Sequence, residues 1–157
     1  MSIEQDILDI IQARVIAAVP EFNARVGQSA HFPTVPSEWP CCRVRMPDTT
    51  VSTPEGGRPG IRPQTRTGIV VISVIHDGRP DDIEAVQREI AERIETALLA
   101  DPYLPGTDGK PRASDLKIAG SHADPVSNRG TVVSVRQLML GVTWRTRENH
   151  PGVPLHA

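Results

Sequence analysis

Aromatic side chains are scarce in this chain: two Trp, two Phe and one Tyr in 157 residues. A core must then be aliphatic, built from Ile, Val, Leu and Ala, and the scarcity counts against a stacking platform for single-stranded nucleic acid. Basic excess is also missing. The formal net charge is −2, so the footprint of a nucleic-acid-binding domain is absent and no sequence-specific nucleic acid partner is expected. No apolar run approaches the ~18 residues of a membrane span, so no membrane partner is expected either. The only cysteines are Cys41 and Cys42. Neighbours on an extended strand point to opposite faces, and a bridge between them would strain the backbone. They read as two reduced thiols of a protein made in a cytoplasm. Glu4, Asp6 and Asp9 interrupt the apolar stretch a signal peptide would need.

Ligand spacings are lacking as well. His31, His76, His122, His150 and His156 form no H-x-x-x-H pair and lie near no C-x-x-C. His122 with Asp124 comes nearest, and two ligands in a turn are too few for a metal. There is no G-x-S-x-G elbow and no G-x-x-x-x-G-K-[ST] loop. Gly56, Gly57 and Gly60 do not lead from a strand into a helix, so they present no helix amides to a phosphate. The expectation is a protein that is not an enzyme, with no catalytic residues, no metal and no cofactor.

What is present is a regular alternation of elements. Ser2 followed by Gln5 makes a helix-capping signature. Ile3, Ile7, Ile10, Ile11, Val15 and Ala18 then recur at helical spacing until Pro20. This predicts an amphipathic helix over Ser2–Val19. Four prolines in residues 20–40 read as an irregular crossing with a short helical turn near Glu21–Val26. Cys41–Met46 alternates as a half-buried strand with Arg43 and Arg45 outward. The glycines and prolines of Pro47–Gln64 read as a long mobile loop.

Thr65–Ile75 is apolar on both faces and suits the middle of a sheet. Asp81 and Glu84 mark a second helix start, with Ile83, Val86, Ile90, Ile94, Ala97 and Leu98 on one face before Pro102. Residues 101–114 read as a loop. Leu116–Gly120 reads as a short strand and Val132–Arg147 as a long one, linked through Asn128–Gly130. The expected fold is α+β: a four-stranded antiparallel sheet of order 1-2-4-3 with two helices on one face, in αββαββ order. Residues 1–147 form one domain and 148–157 an extended C-terminal tail.

Charge is unevenly spread. Arg43, Arg45, Arg58, Arg62 and Arg66 face only Asp48 and Glu55 in their stretch, a net +3. Residues 77–101 hold eight acids against Arg79, Arg88 and Arg93, a net −5. Residues 129–147 hold four arginines and no acid, a net +4. The carboxylates Asp81, Asp82, Glu84, Glu89, Glu92 and Glu95 lie on the polar side of the second helix. They suit an interface rather than a catalytic pair held in a cleft. Copies could join head to tail through such surfaces, a geometry that closes into rings or extends into filaments. The interface candidates are Arg43, Arg45, Arg58, Arg62, Arg66, Glu89, Glu92, Arg145 and Arg147.

This layout resembles a known family. An amphipathic helix leads to Trp39-Pro40-Cys41-Cys42-Arg43-Val44. A variable loop precedes Gly68-Ile69-Val70-Val71-Ile72-Ser73-Val74, then comes a helix from Asp82 to Leu99. The pattern closes on Arg136-Gln137-Leu138-Met139-Leu140-Gly141-Val142-Thr143-Trp144-Arg145-Thr146. Over residues 2–147 it is similar to the minor tail proteins that end tail-tube growth in tailed bacteriophages, the lambda gpU-like tail terminators. The proline-rich stretch at 47–64 is longer than in compact members of that family. The resemblance implies a homo-hexameric ring that caps the tail tube protein and later meets a head-side connector protein. It also implies a virion location after assembly in the bacterial host cytoplasm. A head–tail joining or tail completion protein is the neighbouring alternative. From another class, the alternative is a small-ligand-binding or enzymatic module with a ferredoxin-like sheet.

Overall fold

A computed structural model describes residues 2–29, 39–79, 81–128 and 131–155. His31, His156, Arg129 and Gly130 lie outside the described residues, as does the 30–38 part of the expected crossing segment. The chain runs α1 (Ile3–Ala18), a 3-10 turn (Pro20–Phe22), β1 (Val26–Gly27), β2 (Cys41–Ser52), β3 (Pro63–Gly78), α2 (Ile83–Leu99), β4 (Asp115–Asn128) and β5 (Thr131–Arg147).

α1 begins where its cap predicts: the Gln5 amide donates to Ser2 Oγ at 3.1 Å, satisfying one of the free amides of the first turn. Its buried stripe is Ile3, Ile7, Ile11 and Val15. α2 starts without a side-chain cap at Asp82, so the Asp81/Glu84 signature does not function as one. At its other end Arg14 Nη1 of α1 donates to Leu98 O at 3.0 Å and to Asp101 O, just past the helix, at 2.6 Å.

The sheet corrects the expected one. It has five strands in the order β1-β2-β3-β5-β4, and it is mixed, because β1 runs parallel to β2 through Val26 opposite Cys42 and Gly27 opposite Arg43. Two residues are too few to show an alternating pattern, which is why β1 leaves no mark on the sequence. The other pairs are antiparallel, and β3 and β5 stay in register from Pro63 opposite Arg147 to Gly78 opposite Val132.

The expected 47–64 loop is a second correction. β2 continues to Ser52 and β3 starts at Pro63, leaving only residues 53–62 between them. Pro47 falls in a register shift between Arg45 and Asp48, and Pro63 opens its strand. Both are places where a missing amide is tolerated. β4 likewise runs past the expected Gly120 to Asn128 and includes Pro125, which an edge strand accommodates.

Alternation sends Cys42, Val44, Val70, Ile72, Leu138, Leu140, Val142 and Trp144 to one face, and α1 and α2 cover that face in one continuous apolar cluster. Trp144 is the largest side chain buried there. Arg43, Arg45, Arg145 and Arg147 alternate to the opposite face.

Candidate interaction surfaces

Three of the sequence-predicted residues, Arg58, Arg62 and Arg66, sit on an arm of the sheet. Beyond Thr49, β2 and β3 run on with β5 as a three-stranded extension ending in residues 53–62. Glu148, just past β5, holds its tip. One carboxylate oxygen accepts from Arg62 Nε at 3.0 Å, and the other accepts from the amides of Gly60 and Arg62. The Glu148 amide returns a bond to Arg62 O at 3.1 Å. Gly60 reaches this clamp with φ near +88°, a conformation that costs glycine nothing. Arg66 is fixed on the helix side of the sheet, donating to Thr146 Oγ1 and Gln64 Oε1, both at 3.2 Å. Arg58 is exposed, as are Val51 and Ile61, at 48% and 42%. Of the stretch expected as a loop, Gly60 and Arg62 are thus bonded to Glu148.

The acidic candidates lie elsewhere. Glu89 and Glu92 are exposed on α2, in the layer on the other side of the sheet from Arg45, Arg145 and Arg147. Arg88 bridges Glu84 at 3.2 Å and Arg93 bridges Glu21 at 2.8 Å, so neither helix arginine is committed to Glu89 or Glu92. Arg93 also holds the Glu21 carboxyl below its usual pKa, chiefly by hydrogen bonding. Arg43 is partly buried and donates to Cys42 O at 2.9 Å. The structure thus gathers the predicted arginines into an arm and a sheet face, and keeps the predicted glutamates apart from both.

Sequence reasoning missed the Glu148 clamp, because a single acid in a proline-bearing tail has no pattern to announce it. It also missed how the two edges are guarded. β4 and the part of β2 that runs beyond its short pairing with β1 each carry a register shift, between Ile118 and Gly120 and between Arg45 and Asp48. Bulges, prolines and charges on uncovered strands discourage strand-to-strand joining.

A cleft of about 310 Å³ opens beside Tyr103, Ala113, Trp144, Arg145, Pro154 and Leu155. The tail forms one wall, with the Leu155 amide donating to Arg145 O at 2.7 Å. Arg112, at its margin, is committed to Asp6 at 2.9 Å and Asp108 at 3.0 Å. Those bonds hold the Asp108 carboxyl below its ordinary range. Both cysteines are buried and neither is in a disulfide, and burial pushes the Cys42 thiol well above a reactive pKa. Among the described residues no three His, Cys, Asp or Glu side chains gather as metal ligands, and no helix is long and apolar enough to cross a membrane.

No family model and no curated protein matches the chain. Among solved structures, a chain described as "Virion of native gene transfer agent (GTA) particle" is 17% identical with a TM-score of 0.45, over 82% of this chain and 83% of that one. A second solved chain is 16% identical with a TM-score of 0.43, over 85% of this chain and 94% of its own length. At such identities and TM-scores, neither likeness carries an argument about fold or function.

Proposed function

We propose that this chain is a structural protein of a phage-like virion that ends tail-tube growth. In this reading it has no chemistry of its own. Copies join in a closed ring, a hexamer, that sits on the tail tube protein and offers its other side to a head-side connector. One observation carries the reading: Glu89 and Glu92 on α2 and the arginines on the opposite sheet face are held on two sides of one molecule. They cannot meet within a chain, so they suit contact between successive copies. Such a contact is heterologous and closes when the rotation per copy allows it. The layout likeness to tail terminators supplies the place in the particle.

Mass measurement in solution and on isolated tail tubes tests the proposal. A discrete ring that caps tubes and stops their lengthening is the expected result. A monomer that leaves tube length unchanged and takes up a small molecule in the Tyr103–Trp144 cleft would overturn it in favour of a ligand-binding module.

A further inference from the structure

Among the described residues, four buried side-chain atoms have no hydrogen-bond partner: His76 Nδ1, Gln87 Oε1, Ser134 Oγ and Arg136 Nε. They are neighbours. The register sets His76 opposite Ser134 and Val74 opposite Arg136. Gln87 reaches down from α2 and donates through Nε2 to Ser134 O at 2.7 Å and to Val74 O at 3.4 Å. By alternation His76, Ser134 and Arg136 share the helix-covered face with Ile72 and Leu138. The aliphatic core therefore ends, under the first half of α2, in one polar patch. Gln87 and Ser134 are its deepest members, at 1% and 0% exposure. Arg136 is anchored at its tip, where Nη1 donates to Ser121 Oγ on β4 at 2.7 Å, which leaves Nε over the same stretch of sheet. Native structures leave few buried polar groups unpaired, so four on neighbouring residues call for a partner.

The chemistry of the set narrows that partner. Arg136 Nε–H only donates and Gln87 Oε1 only accepts, while a serine hydroxyl and an imidazole nitrogen can do either. A cation is opposed by the guanidinium. An anion is opposed by Asp77, whose Oδ1 lies 3.6 Å from His76 Nδ1. An apolar group would satisfy none of the four. Water donates and accepts at once, and a buried water typically makes about three hydrogen bonds.

We infer that this patch is an internal hydration site, holding about one or two ordered waters that tie α2 to β3 and β5. A high-resolution crystal structure of the unaltered chain should show solvent density within hydrogen-bonding reach of at least two of the four atoms. A dry patch with the side chains bonded to one another overturns the inference, and so does a bound ion or a neighbouring molecule's side chain in that place. Ser134→Ala gives a second readout, by sign. If the hydroxyl holds water, its loss leaves the water short of a partner and Tm falls by about 3–6 °C. If the hydroxyl is a dry orphan, its removal is neutral or raises Tm, which also overturns the inference. Should that variant fail to fold, the density in the unaltered chain decides alone.

Discussion

The helix-covered half of the molecule and the arm at its end are held by different forces. Under α1 and α2 lie Ile7, Ile11, Ile72, Ile94, Leu98, Leu140 and Trp144, all nearly inaccessible. There, area removed from water does the holding, at about 1.5–3 kcal/mol per fully buried large side chain. The arm buries little: Val51 and Ile61 face solvent, and its shape comes from strand pairing and one carboxylate. A segment can thus be held in place by hydrogen bonds while contributing almost nothing to the core. An element of that kind can be altered for contact at a smaller cost to the fold than the core residues.

The sharpest way to expose this contrast is Trp144→Ala. It should destabilise the whole molecule by about 3–5 kcal/mol in denaturant unfolding, through lost burial and the cavity left behind. Glu148→Ala should cost less, roughly 1–2 kcal/mol from the charged hydrogen bonds removed. The loss should stay local: hydrogen exchange across residues 53–62 should quicken while α1 and α2 keep their protection. If the helices lose protection equally, arm and body are one unit and the contrast fails.

Replacing residues 53–62 with a short Gly/Ser link removes the same Glu148 partners, so it should cost no more than Glu148→Ala, roughly 1–2 kcal/mol. On the proposed function the same variant should no longer cap tubes, giving overlong tails, and normal tails would return the arm to a tolerated insertion. Reversing Glu89 and Glu92 together to Arg should change unfolding by no more than about 0.5 kcal/mol, while ring formation and its salt dependence weaken. The smallest effect belongs to Glu21→Gln. The exposed Glu21–Arg93 pair is worth at most about 1 kcal/mol after solvent screening. The folded carboxyl titrates below its ordinary 4.5, so its contribution is present above that pH and is lost as pH falls through the lowered value. In an acid titration, the variant should lack this small loss.

The sequence marked elements wherever one local rule was enough. Ser2 and the isoleucine spacing located α1, and the stripe from Ile83 to Leu98 located α2. The two-sided apolar run at Ile69–Ile75 indicated an inner strand, and β3 does lie between two others. The rules failed where tertiary context overrode composition. Pro47, Pro63 and Pro125 read as breakers, but a bulge, a strand start and an outer strand each absorb a missing amide. β1 was invisible because two residues carry no period. Among the interface candidates, the sequence could show sign but not layer. Only the register tells that Arg45 and Arg145 point away from the helices, whereas Arg66 points toward them.

The position of β5 has a consequence for how the chain is made. It is the last strand in sequence yet lies between β3 and β4. While the ribosome is still working, β3 emerges with Ile69, Val71 and Ile75 along a ladder whose far side has no mate. β4 appears next and has nothing to lean on. Only when residues 131–147 arrive can the sheet close, so the contacts that matter most are long-range and late. A nascent chain stalled before that point would display an open apolar strand, the kind of surface on which unfinished proteins stick to one another. Emergence of residues 131–147 is thus the event that covers the open side of β3.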